Sequence, residues 1–122
     1  MVTKPTSGSA NAIQIPETQI VVEPAFLDGQ QPDWASGASK RELLSRWMTQ
    51  TDNPYFARAA VNRLWEHFLG RGLVHPVDDL DKTNAPSHPE LFDELSRQFA
   101  LHKFDLNYLI RAVTASRAYQ LS

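Results

Sequence analysis

The sequence predicts an all-α protein: a bundle of about four helices preceded by an extended N-terminal arm. The first observation is that apolar residues recur at helical spacing only after residue 38. The second is a set of helix-start signals at Ser39, Asn53, Ser87 and Asp105. The third is that residues 1–38 hold four of the eight prolines and three of the five glycines. Such punctuation disfavours helices there.

The N-terminal third divides into two parts. Residues 1–12 are polar and predict a flexible tail. Residues 13–38 predict an extended arm, in which Ile13–Ile15 and Gln19–Glu23 are short β-branched runs that favour strands or a hairpin. The first 38 residues carry a net charge of −3, and residues 39–122, the predicted helical domain, carry +1.

Each predicted helix has a start signal. Ser39 to Glu42 and Ser87 to Glu90 have the spacing of capping boxes. Asn53-Pro54 opens a second helix that ends before Gly70, and Asp105 caps a fourth, over about 106–117. The predicted inward residues of the last two helices are Leu91, Phe92, Leu95 and Phe99, then Leu106, Leu109, Ile110 and Val113. Arg58, Asn62, Arg63, Glu66 and His67 are assigned to the polar side of the second helix.

Composition excludes several classes of function. A chain of 122 residues has room for one domain, and its net charge of −2 argues against a nucleic-acid binder. Without cysteine there is no disulfide, thiolate metal cluster or c-type haem attachment. No cofactor is assigned. No apolar run approaches the roughly 20 residues that cross a bilayer, so membrane insertion is not expected. Residues 1–12 lack the apolar segment of a signal peptide.

One candidate site is a group of possible metal ligands around the central loop: His75, Asp78, Asp79 and His88. Imidazole and carboxylate groups bind zinc and similar divalent ions. The simpler alternative is that the two aspartates cap a turn and that His88 packs at a helix start. This alternative is preferred, so no metal is assigned.

A second candidate site is an anion-binding face formed by Arg63, His67 and Arg71, which are spaced four residues apart, together with Arg111. Guanidinium groups match the geometry of carboxylate, sulfate and phosphate. The preferred alternative is an intramolecular ion pair, in which Arg63 or Arg111 binds Asp79 or Asp105.

Two further patterns carry less weight. Ser87 with His88, or Ser116, could suggest a hydrolytic nucleophile. Adjacent Ser and His side chains in a capping box are, however, expected to point in different directions. The aromatic residues Trp47, Tyr55, Trp65 and Tyr108 could form a platform for a sugar, although helical spacing favours a place in the core or on a surface that packs against further sequence. No catalytic residue is assigned.

A set of motifs resembles one bacterial domain family. They are Asn53-Pro54-Tyr55-Phe56-Ala57-Arg58, Val61-Asn62-Arg63-Leu64-Trp65, Phe68 to Val74 with Pro76, Asp78 and Asp79, Ser87-His88-Pro89-Glu90-Leu91, and Ser116 to Ser122. The chain resembles the uncharacterised domain abundant in planctomycetes, found towards the C-terminus of large exported proteins that often carry a cytochrome-c-like domain. The resemblance covers about Pro24 to Ser122. It implies export to the periplasm or cell surface.

The resemblance also implies that the chain is the N-terminal half of a longer domain, whose partner is the remainder of its own polypeptide, including a cytochrome-c-like domain in some relatives. Three functions remain open. The first is a structural or interaction module without catalytic activity. The second is part of an extracellular enzyme, acting on carbohydrate or in redox chemistry, that is completed by further sequence. The third is a small metal- or anion-binding domain. The sequence leaves the oligomeric state open.

Overall fold

The chain folds into two compact units, and the first contains both the N-terminal hairpin and nearly all of the first helix. The computed structural model describes residues 12–121, so most of the predicted tail lies outside the described residues. The units are Met1–Trp47 and Met48–Ser122. The elements are β1 (Ile13–Gln14), β2 (Val21–Val22), a 3-10 helix (Trp34–Ser36), α1 (Lys40–Met48), α2 (Phe56–Leu69), α3 (Pro89–Leu101), α4 (Leu106–Thr114) and α5 (Arg117–Gln120). The predicted all-α class is confirmed.

The first unit begins with a short antiparallel hairpin. Ile13 pairs with Val22, and Gln14 pairs with Val21. Beyond these strands the Ile15 N–H donates to the Ile20 carbonyl at 2.9 Å, so the pairing continues to the turn. The β-branched residues favour this extended backbone because they fit the pleated surface of a sheet.

An aromatic stack organises the rest of the first unit. The rings of Phe26 and Trp47 lie 4.8 Å apart and almost parallel. The Trp47 indole N–H donates to the Asp28 carboxylate at 2.9 Å, which ties the Pro/Gly-rich stretch to helix α1. The start of α1 follows half of the predicted capping box: the Glu42 N–H donates to Ser39 Oγ at 3.2 Å, but the Glu42 carboxylate pairs with Arg46 instead of returning to the cap.

The second unit is built from helices α2 to α5, which pack against one another. Their core contains Val61, Phe92, Phe99, Leu109 and Val113, all essentially inaccessible to solvent. Burial of such side chains contributes roughly 1.5–3 kcal/mol each. The four packed helices therefore include α5, which lies beyond the predicted end of the fourth helix at about residue 117, whereas residues up to Trp47 of α1 belong to the first unit.

The burial pattern corrects two inward assignments. Leu91 and Leu106 are 39% and 55% exposed, although the sequence pattern placed them in the core. Both occupy the first turn of a helix, Leu91 in α3 and Leu106 in α4. A residue at a helix end extends beyond the neighbouring helix more readily than one in the middle turns, and periodicity alone does not include this end effect.

Local signals explain where the helices end. Gly70 adopts a left-handed conformation with φ +81°, and its N–H donates to the Glu66 carbonyl, which ends α2. Asp105 accepts from the Asn107 N–H at 2.9 Å and caps α4 as predicted. Asn53 accepts from the N–H groups of Tyr55 and Phe56 at the entry to α2. Within residues 12–121, the longest helix has 14 residues, and none has the length and apolarity needed to span a bilayer.

Candidate functional site

The loop between α2 and α3 is held by one buried side chain, Asn62. Its amide nitrogen donates to the carbonyls of Val74 at 2.9 Å and Val77 at 2.8 Å. Its amide oxygen accepts from the Val74 N–H at 2.9 Å. Asn62 is 0% exposed. Three hydrogen bonds from one helix side chain therefore fix the course of the first part of the loop.

Gly72 allows this close approach of the loop to α2. A Cβ at this position would lie 2.9 Å from Asn62 Oδ1 and would also collide with the Val74 carbonyl oxygen. Side-chain carbons essentially never approach so closely. Glycine is therefore required at position 72 by contact rather than by a left-handed backbone.

The pinned loop, the end of α2 and the start of α3 enclose an open cleft of about 510 Å³. Its lining residues come from a stretch of 24 positions, and all belong to the second unit. The polar lining residues are Arg71, His75, Asn84, Ser87 and His88. The remaining ones are Trp65, Gly72, Leu73 and Ala85. We call this feature the loop cleft.

The far wall of the loop cleft is closed by backbone and amide contacts. The Ser87 N–H donates to the Leu73 carbonyl at 2.8 Å, so the two ends of the loop meet. The Asn84 amide nitrogen donates to the carbonyls of His75 at 3.2 Å and Asp79 at 2.9 Å. These hydrogen bonds fix the course of the loop backbone around the cleft. They also pair backbone groups that water would otherwise have to satisfy.

The start of α3 differs from the predicted capping box. The first residue outside the helix is His88, which makes no capping hydrogen bond with its side chain, and Pro89 follows it. The His88 Nδ1 lies 3.1 Å from Ser87 Oγ. The two side chains therefore point towards each other, contrary to the expectation from sequence. The contact between the Ser87 hydroxyl and the His88 imidazole thus takes the place of the predicted reciprocal capping between Ser87 and Glu90.

The four possible metal ligands are separated into different local contacts. The Asp78 carboxylate binds Arg63 at 2.6 Å, and His75 Nδ1 lies 3.7 Å from Glu66 Oε1. Asp79 takes part in a turn through its N–H, which donates to the Pro76 carbonyl at 3.0 Å. Among residues 12–121 no group of three or more histidine, aspartate or glutamate residues is arranged to hold a metal ion.

The predicted basic face is also divided. Arg63 forms an ion pair with Asp78, one residue from the predicted partner, and both side chains are 66% exposed. Exposed pairs of this kind contribute only about 0–1 kcal/mol. His67 makes an edge-to-face contact with Phe68, with ring centroids 5.1 Å apart. Arg71 lines the loop cleft, whereas Arg111 is exposed on α4 outside it.

One acidic group of the loop has a shifted pKa. The N–H and the hydroxyl of Thr83 both donate to the Asp81 carboxylate at 2.8 Å. The backbone N–H contributes most, and together these donors lower the pKa of Asp81 below its usual value. Asp81 therefore serves the turn as an anion and does not line the cleft.

Asn62 is a third residue whose burial differs from the sequence prediction. The sequence pattern places it on the polar side of α2, but it is buried next to Val61 in the middle of the helix. Asparagine is disfavoured in helix interiors because its amide competes for backbone groups. An asparagine in the middle of a predicted helix therefore indicates a side chain with a specific hydrogen-bond partner.

The fold and the site define the class of the protein: a helical domain with a loop cleft at one end of its α2–α3 pair. The model of the PSD1 family, described as protein of unknown function (DUF1553), matches residues 40–122. The chain belongs to this family. Searches of curated proteins and of solved structures found no match.

Proposed function

We propose that the chain is a non-catalytic helical interaction module of a larger, exported polypeptide, and that one face of its hairpin docks on another domain of that polypeptide. The observation that carries this proposal is an apolar hairpin face formed by Ile13, Ile15, Ile20 and Val22. All four side chains are exposed in the structure. Membership of a family without an assigned activity is compatible with such a role.

The pairing of the strands defines this face. Ile13 lies opposite Val22, and Ile15 is hydrogen-bonded to Ile20. Because side chains alternate between the two faces of a strand, residues 13 and 15 share a face with residues 20 and 22. Gln14 and Val21 form the opposite face. The apolar hairpin face is therefore entirely aliphatic.

The physical chemistry of this face favours a partner. A two-stranded sheet is marginally stable by itself in water. Fully burying an isoleucine or valine side chain contributes roughly 1.5–3 kcal/mol, and Ile13 is still 68% exposed. Covering the face with an apolar surface would therefore add stability that the isolated unit lacks.

An apolar groove continues from the hairpin within the first unit. It has a volume of about 250 Å³, and Ile13 lines it together with Phe26, Trp34, Leu43 and Leu44, among others. A docking partner with an aliphatic strand or helix face could extend from the hairpin into this groove. The resemblance to large exported proteins supports a neighbouring domain, cytochrome-c-like domains included, as that partner.

The test is amide hydrogen exchange of β2 in two settings. The first is this 122-residue chain, and the second is the polypeptide extended by any further domains that its reading frame encodes. We expect the amides of Val21 and Val22 to exchange at least about tenfold more slowly in the extended polypeptide, because docking covers the hairpin. The double variant Ile15→Thr, Ile20→Thr should abolish that slowing, since threonine keeps the strand preference but removes apolar area.

The matched control is Val21→Thr, which makes a similar change on the opposite face. It should leave the slowing in place, read from the Val22 amide. The proposal is wrong if the extended polypeptide leaves the exchange of β2 unchanged, if the reading frame encodes no further domain, or if Val21→Thr acts as strongly as the double variant.

A further inference from the structure

We propose that the loop cleft binds a small ligand that carries a carboxylate or phosphate group on a flat ring. The inference starts from the charges of the lining. The cleft presents the guanidinium of Arg71, the imidazoles of His75 and His88, and the Ser87 hydroxyl, and among residues 12–121 no acidic side chain lines it. A guanidinium group offers paired N–H donors that match a carboxylate or phosphate.

Three acidic groups around the cleft have partners of their own. Asp78 is paired with Arg63, Glu66 lies 3.7 Å from the His75 ring, and Asp81 accepts hydrogen bonds from Thr83. No salt bridge joins Arg71 to another residue in the described part of the chain. The charge of Arg71 is therefore available to an external anion.

The N-terminus of α3 adds positive electrostatic potential to one side of the loop cleft. His88 and Ser87, which line the cleft, immediately precede this 13-residue helix. The N-terminus of a helix carries a partial positive charge, and here the capping residue makes no side-chain hydrogen bond to the first turn. The basic side chains and the N-terminus of the helix thus both favour a negatively charged ligand.

The apolar part of the lining indicates what the anion is attached to. Trp65 and Leu73 line the same cleft as Arg71, and Trp65 is half-buried, so part of its side chain remains accessible. Aromatic side chains stack favourably on flat rings. The volume of about 510 Å³ lies within the usual range for small-molecule sites. A ring that bears an oxyanion satisfies both parts of the lining.

The structural order of the cleft supports binding without large rearrangement. Leu73 and Val74 are buried, and the Asn62 hydrogen bonds hold the backbone beside Arg71. A preformed site avoids much of the cost of ordering a loop when the ligand binds. This inference is independent of the docking role of the hairpin, because the cleft belongs to the other unit.

The test is an NMR titration of the 122-residue chain at constant ionic strength. Benzoate and phenyl phosphate are the probes, and the reporters are the Trp65 indole N–H and the backbone N–H groups of Gly72 and Leu73. We expect saturable shifts with at least one probe, and the better probe tells whether the site prefers a carboxylate or a phosphate. Acetate and inorganic phosphate, which lack the ring, should bind more weakly.

The matched variants are Arg71→Gln and Arg111→Gln. Both remove one exposed arginine, but only Arg71 lines the cleft. We expect Arg71→Gln to weaken binding by about tenfold or more, as loss of a hydrogen bond to a charged group predicts, and Arg111→Gln to leave it unchanged. The proposal is overturned if neither probe gives saturable shifts, if neutral benzyl alcohol binds equally well, or if the two variants weaken binding alike.

Discussion

Replacing Asn62 by alanine should release the loop from α2 and destabilise the second unit. The substitution removes both donors to the carbonyls of Val74 and Val77 and the acceptor for the Val74 N–H. Val74 is only 2% exposed, so its N–H and carbonyl cannot easily find water instead. The change therefore leaves two buried backbone groups without partners.

The expected magnitude follows from those two groups. A buried polar group left without a hydrogen bond costs about 1–3 kcal/mol. The Val77 carbonyl is half-buried and can turn towards solvent, so it adds little. We expect the free energy of unfolding of the second unit to fall by about 2–6 kcal/mol, which is a large fraction of the roughly 5–15 kcal/mol typical of a domain.

A second substitution at the same site separates the donors from the acceptor. Asn62→Asp keeps an oxygen that can accept from the Val74 N–H but places another oxygen against the two carbonyls. It also buries a negative charge, which costs more than burying an amide. Its destabilisation should therefore be at least as large as that of Asn62→Ala.

The assay combines urea unfolding with hydrogen exchange. Circular dichroism gives the free energy of unfolding, and the exchange rate of the Val74 amide reports directly on its bond to Asn62. Asn107→Ala is the matched control, because Asn107 is exposed on α4 and such surface changes usually stay within about 0.5 kcal/mol. The reasoning is refuted if Asn62→Ala leaves Val74 protected as in the parent chain, or if it destabilises no more than Asn107→Ala.

Two further predictions concern a close contact and a titrating group. Gly72→Ala should lower the free energy of unfolding of the second unit by about 1–3 kcal/mol, measured by urea denaturation, because the new methyl group would press on Asn62 and the loop backbone. The pKa of Asp28 is lowered by the N–H of Gln30 first and by the Trp47 indole N–H second. Its carboxylate therefore stabilises the first unit above the unfolded pKa of about 3.9, and this contribution is lost as the pH falls through the lower folded value. Asp28→Asn should reduce the acid-dependent shift of the Trp47 indole resonance in an NMR pH titration.

The controls for these two predictions use the same chain. Gly70→Asn changes a glycine with φ +81° that has open space at the Cβ position, and asparagine tolerates that conformation, so it should cost less than Gly72→Ala. If both cost the same, the contact at Gly72 is not the cause. The Trp65 indole resonance serves as the internal reference for the acid titration. If the acid-dependent shift of Trp47 is as large in Asp28→Asn as in the parent chain, or if Trp65 loses as much of its shift as Trp47, the specific role of Asp28 is contradicted.

Several features that the sequence predicted correctly are set within one turn of the chain. Gly70 ends α2 and Asp105 caps α4 because each acts on backbone groups two to four residues away. The apolar spacing likewise identified Phe92 and Val113 as core. Such local rules are readable without knowing where the rest of the chain lies.

The arrangement of the cleft, which the sequence did not predict, depends on contacts between residues that are far apart in the chain. Asn62 binds backbone groups 12 and 15 residues away, and Ser87 reaches back to Leu73. Only once these contacts form do Arg71, His75 and His88 line the same cleft. The sequence had separated them, with Arg71 in a basic face and the two histidines in a possible metal site.

An exposed turn lies between the two held parts of the loop. The backbone that Asn62 holds ends at Val77, the contacts of Asn84 and Ser87 hold the far part, and Asp81, Lys82 and Thr83 between them form a turn closed by its own hydrogen bonds. A change of length at that turn would be absorbed locally, since exposed turn residues tolerate insertion best. Lys82 is consequently a suitable attachment point for a fluorophore or an affinity handle that leaves the wall beside Arg71 in place.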